Sequence, residues 1–213
     1  MCFNYKVSLF TFLLGTVFSF LLIKYGNKNY TSENTITGIF LFFISLIQLM
    51  DFLFWIDLKN KLGINKITTI VGPILNVGQP IILYLIKYFY YKPDVLVFTN
   101  FNLPVALINL LYFIYLIIFY YNFISSTKLI TTAKDGHLKW PWTKYANSTF
   151  YLILFAINIF YLFDFKYSSL LFLITYSFLF LSVKFFYYRV GELWCFFGAF
   201  IPLLMFLSSF TIL

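Results

Sequence analysis

Long apolar runs recur along the chain, each closed by a short polar connection. A helix needs about 20 mostly apolar residues, within a range of roughly 17–25, to cross the hydrocarbon core of a bilayer. The stretches 7–24, 36–57, 67–88, 103–124, 149–165, 168–187 and 191–212 have that character. The pattern predicts an all-α fold, a polytopic membrane helical bundle of about seven transmembrane helices. No connection is long enough for a soluble domain, so residues 1–213 read as a single integral membrane domain. Only a few residues, among them Asp164, Lys166 and Ser168, separate the fifth and sixth stretches. They predict a tight helical hairpin, with one long re-entrant pair as the alternative. The first stretch follows one lysine and precedes no small-residue cleavage site, so it reads as a retained anchor.

The polar exceptions inside the runs carry the candidate chemistry. Gln48, Asp51 and Trp55 fall at i, i+3 and i+7 and share one helix face. An acid within a span is costly to insert and is expected to face the bundle. Asp51 is therefore expected either to cap a packing network, pairing with Lys59 or Lys61, or to bind a proton or ion. The third stretch contains Gly72-Pro73, Asn76 and Gln79-Pro80. Proline removes a backbone donor and frees the carbonyl four residues earlier, here those of Thr69 and Asn76. Such breaks suit a wall that lines a cavity; packing alone is the plainer explanation. Asn109 lies near the middle of the fourth stretch, and Glu192, Trp194 and Cys195 begin the last. The depths of these groups predict one vestibule open to the cytoplasm, with Gln48 and Asp51 facing the third and seventh helices. His137, the one histidine, sits in the longest loop and is expected to act as a gate over that vestibule. Trp140 and Trp142, flanked by Lys139, Lys144 and Tyr145, are expected to anchor that loop at the membrane interface.

Composition sharpens the membrane reading. The chain is 62% hydrophobic and 10% charged, against about 25% charged in soluble domains. The net charge of +8 would suggest nucleic acid in a soluble protein. Here the basic residues lie in the connections and act as topology signals, so no nucleic-acid partner is expected. Ten of the 15 Lys and Arg residues fall on the side that holds the N-terminus: Lys6, Lys59, Lys61, Lys66, Lys128, Lys134, Lys139, Lys144, Lys184 and Arg189. The positive-inside rule makes that side cytoplasmic and the C-terminus exoplasmic or lumenal. Asn29-Tyr30-Thr31 then lies outside, where glycosylation is permitted, and Asn147-Ser148-Thr149 lies inside. Cys2 and Cys195 fall on the same cytoplasmic side, which argues against a structural disulfide; Cys2 is a candidate for acylation. The abundant Phe and Tyr read mainly as lipid-facing surface.

Three strings, Met1-Cys2-Phe3, Gly136-His137-Leu138-Lys139-Trp140 and Trp194-Cys195-Phe196-Phe197, together with Gln79-Pro80, resemble an uncharacterised family of multi-spanning proteins from large DNA viruses and protists. The resemblance implies a seven-helix membrane protein with no assigned activity. A retinal protein is excluded by the absence of lysine in the last stretch, and a multi-histidine zinc hydrolase by the single histidine. No cofactor or metal is expected. The leading expectation is a protein that binds or moves a small solute, proton or ion through a cytoplasm-facing polar cavity. Its candidate residues are Gln48, Asp51, Asn76, Gln79, Asn109, His137, Glu192, Trp194 and Cys195. The alternatives are a membrane-embedded enzyme acting on lipid through Asp51, His137 and Glu192, and a non-catalytic scaffold. The expected partners are the lipid bilayer and an unidentified ligand, with self-association left open by the composition.

Overall fold

The computed structural model describes residues 4–91, 102–126, 128–134, 136–186 and 190–211. Among these the chain forms α1 (Tyr5–Tyr25), α2 (Thr31–Ile56), α3 (Ile64–Val77), α4 (Gln79–Tyr91), α5 (Asn102–Ser126), α6 (Ser148–Leu162), α7 (Phe165–Phe186), α8 (Val190–Gly198) and α9 (Ile201–Thr211). A small antiparallel hairpin, β1 (Thr132–Lys134) and β2 (His137–Lys139), interrupts the helical run.

Helix α1 shows why the bundle belongs in lipid. Its buried face carries Ser8, Thr11, Gly15, Ser19 and Leu22, while Phe10, Leu13, Val17 and Phe20 are exposed. A soluble protein would place these the other way round. Between membrane helices no hydrophobic force draws apolar faces together, so small residues that allow close approach form the contact. A Cβ on Gly15 would stand 2.2 Å from Ser45 Oγ on α2, and one on Gly38 would stand 2.8 Å from the Ser19 carbonyl. The α1–α2 pair is thus joined backbone to backbone along a small-residue seam that hydropathy alone did not reveal.

Among the described residues, four helices are long and apolar enough to cross a membrane, or five if α3 and α4 count as one broken span. The departures from seven continuous runs have local causes. The expected helix 67–88 is broken at Gly78, and its halves are bent by 68°. Pro80 supplies no donor and its ring clashes with the preceding turn. Helix α6 has 15 residues, a length of about 22 Å against a hydrocarbon core of about 30 Å. The expected helix 191–212 is interrupted at Ala199–Phe200, and Pro202 sits in the first turn of α9, where its missing N–H is tolerated. The tight turn between α6 and α7 is present: Asp164 Oδ1 accepts from the Lys166 amide at 2.9 Å. Ser168 donates across the turn to the Ile159 carbonyl at 3.0 Å.

The loop of 126–148 differs most from expectation. Gly136 has φ of +73° and follows Asp135, which lies outside the described residues. A glycine with positive φ suits the connection between two such short strands. The hairpin is clamped onto α3. Asn65 Nδ2 donates to the Thr131 carbonyl at 2.9 Å, and the Thr131 amide donates back to Asn65 Oδ1 at 2.9 Å. The Thr69 and Thr131 hydroxyls meet at 2.9 Å. Trp140 and Trp142 are buried and stack on each other with centroids 5.3 Å apart. They are core residues, not interfacial anchors. Trp142 packs over Gly72, where a Cβ would lie 2.4 Å from its ring.

Asp57 organises the approach to α3. Its Oδ1 accepts from the Lys61 and Leu62 amides at 2.7 and 3.2 Å, and Oδ2 from the Asn65 amide at 3.2 Å. Burial pushes its pKa up, but the amides of Leu62, Asn65, Lys61 and Ile64 outweigh burial and hold it below the ordinary carboxylate value. A depressed pKa in the folded state means the stabilisation is complete above pH about 4 and is lost as pH falls through the folded value. Asp57→Ala is expected to lower the thermal midpoint at pH 7, with the gap to wild type closing below pH about 4. An unchanged gap across that range would rule out the carboxylate as its source.

Candidate functional site

A cavity of about 420 Å³ lies among α2, the α3–α4 break, α6, α7 and the α8–α9 break, with the loop of 140–148 at one end. Its size is within the range of small-molecule sites. The wall is mostly apolar, with Phe40, Leu41 and Ile44 from α2 and Phe155 from α6. Thr143, Asn147 and Ser148 at the loop end are exposed, whereas Gln79, Tyr151 and Thr175 deeper in are buried. The cavity is therefore entered from the end of the bundle that carries the hairpin. Among the described residues, its lining contains no Lys, Arg, Asp or Glu.

Both helix breaks contribute to this wall: Asn76, Val77 and Gln79 flank the first, Gly198 and Ile201 the second. Backbone carbonyls of α3, one at the first break and one two turns before it, are held by tyrosines of α5. The Tyr112 hydroxyl donates to the Val77 carbonyl at 2.9 Å, and the Tyr120 hydroxyl to the Ile70 carbonyl at 3.2 Å. The Tyr151 hydroxyl donates to Gln79 Oε1. Asn76 Nδ2 reaches Cys195 Sγ at 3.7 Å, tying α3 to α8 across the cavity. Trp194 meets the Tyr151 ring edge-on with centroids 5.5 Å apart.

Of the residues singled out in the sequence, Asn76, Gln79, Trp194 and Cys195 line this cavity. Gln48 does not: it is buried against α1, where Thr11 Oγ1 donates to its Oε1 at 2.8 Å. Its carboxamide oxygen is thus engaged by α1, outside the cavity lining. Asp51 is fully buried and engaged within the bundle, outside the cavity lining. Asn109 belongs to a separate amide pair. Its Nδ2 donates to Asn158 Oδ1 at 2.9 Å, and its Oδ1 accepts the return bond from Asn158 Nδ2 at 3.0 Å. Asn158 Nδ2 also donates to the Pro80 carbonyl at 2.9 Å, so the pair joins α4, α5 and α6. His137 opens β2 opposite Lys134 and is not part of the lining. The side chain of Glu192, and all of Cys2, lie outside the described residues.

The sequence reading missed Tyr151, Thr175 and Asn158. Asn158 was visible as a lone amide within an apolar run, the signal that drew attention to Asn109. Tyr151 and Thr175 carried no such signal among so many aromatic and hydroxyl residues. The fold is that of a helical membrane protein. No protein-family model, characterised protein or solved structure matches the chain.

Proposed function

We propose that this chain is a multi-pass membrane protein that binds a small solute in the cavity and moves it across the bilayer. The observation that carries the reading is the meeting of two interrupted helices at one cavity. Irregular backbone at membrane depth is costly unless it is buried in protein or lines a cavity. Transporters place discontinuous helices at their substrate sites for this reason. In this reading the chain passes the membrane seven times, α3–α4 and α8–α9 each forming one pass and α6 a short one. The lysine-rich end, which holds the cavity entrance, then faces the cytoplasm with the N-terminus. A glycan on Asn147 would overturn that orientation; one on Asn29 agrees with it.

Chemistry on lipid through Asp51, His137 and Glu192 has less support, since neither Asp51 nor His137 lines the cavity. Cys195 provides the test. In a Cys2→Ser background it is the one remaining thiol. Reconstituted protein is expected to speed entry of at least one neutral solute into liposomes, and alkylation of Cys195 with a bulky maleimide to return entry to the protein-free rate. Entry that is absent for every solute, or indifferent to alkylation, would end the transport reading.

A further inference from the structure

The lining combines ring surfaces with neutral hydrogen-bonding groups. Trp140, Tyr151 and Trp194 supply the rings. Gln79 is 6% exposed, and its carboxamide is only half used: Oε1 takes the Tyr151 hydroxyl, while Nε2 has no protein partner among the described residues. Thr175, 2% exposed, adds a hydroxyl likewise without a protein partner among them. Both groups belong to the cavity lining, and in so apolar a wall a ligand that brings an acceptor gains at this point. A charged ligand would shed its hydration against a wall that offers no counter-charge among the described residues.

Resting on the solute-binding reading above, we propose that the cavity takes a small, neutral, ring-bearing molecule with an amide-type carbonyl. The carbonyl accepts from Gln79 Nε2, and the ring lies against Trp194 and Tyr151. The uncharged lining selects against the acid or amine of the same shape, and the unspent carboxamide selects against the plain hydrocarbon.

Benzamide, benzoate and toluene separate these terms at nearly constant shape. In the Cys2→Ser background in nanodiscs, each is tested for protection of Cys195 from N-ethylmaleimide. Benzamide is expected to protect, with toluene about tenfold weaker for want of the hydrogen bond and benzoate without effect at the same concentrations. Gln79→Met is expected to bring benzamide down to the level of toluene, each protection being read against that variant's own unprotected alkylation rate. Should Gln79→Met not fold, acetophenone serves with the parent protein, since it keeps the ring and the carbonyl acceptor but no N–H: it is expected to protect as benzamide does, and protection only at the level of toluene would overturn the proposal. Equal protection by benzoate or toluene, or none by benzamide, would overturn the proposal. Protection without solute entry into liposomes would defeat the transport reading and leave the ligand class standing. Entry of a neutral solute with no protection by benzamide would do the reverse.

Discussion

Trp142→Ala is expected to cost about 3–5 kcal/mol of folding stability, the range for removing a fully buried tryptophan. Trp142 is 2% exposed. It stacks on Trp140, meets Phe54 and Phe123 with centroids 6.3 Å away in each case, and fills the space above Gly72. Among the described residues its Nε1 has no hydrogen-bond partner, so the loss is one of packing and not of a polar contact. Thermal unfolding in detergent or nanodiscs would measure it. A tryptophan that merely anchored the loop at the bilayer surface would shift depth or tilt and leave the unfolding midpoint nearly unchanged. That second outcome would return Trp142 to the role its flanking lysines suggest.

Asn158→Leu should destabilise the bundle by about 2 kcal/mol. The substitution removes three hydrogen bonds at once: both bonds to Asn109 and the one to the Pro80 carbonyl. It leaves the Asn109 carboxamide without its partner, although Nδ2 keeps the Val105 carbonyl at 2.9 Å. Asn109 is 3% exposed and Asn158 fully buried, so water does not replace the lost bonds. The figure is moderate because an unfolded chain within a membrane also finds partners for its amides. Replacing both residues by Leu should be less harmful than the sum of the single changes, by about 1 kcal/mol, since neither amide is then orphaned by the other. Strict additivity would show that the reciprocal pair contributes little beyond its packing.

Much of the helical order was legible because the membrane imposes one requirement on every span. Apolar runs near 36–57, 103–124 and 168–187 became α2, α5 and α7 with small changes at the ends. Pro73 and Pro80 marked the third run as irregular, and the break fell at Gly78, two residues before Pro80. The last run held a related signal in Pro202, which cannot continue a helix from the preceding turn but is tolerated in the first turn of a new one. The polar site was harder to read. Gln48 and Asp51 do share a helix face, but that face is surrounded by several helices. Periodicity says that a residue points inward; it does not say toward which neighbour. Gln48 found Thr11 and Asn109 found Asn158, whereas Asn76 and Gln79 met the cavity.

The sequence by itself determined that this is a helical membrane protein, where its chain reverses, and which polar groups must be buried. These follow from hydropathy, proline chemistry and the cost of charge in lipid, all of which act locally along the chain. Only the tertiary structure decided that Trp142 belongs to the core, that a short hairpin is clamped to α3, and that two helix breaks meet at one cavity whose described lining is uncharged. The physical reason is that each depends on which helices become neighbours. In a bilayer that choice rests on small-residue contacts and a few hydrogen bonds between residues far apart in the chain, for which the apolar pattern carries no signal.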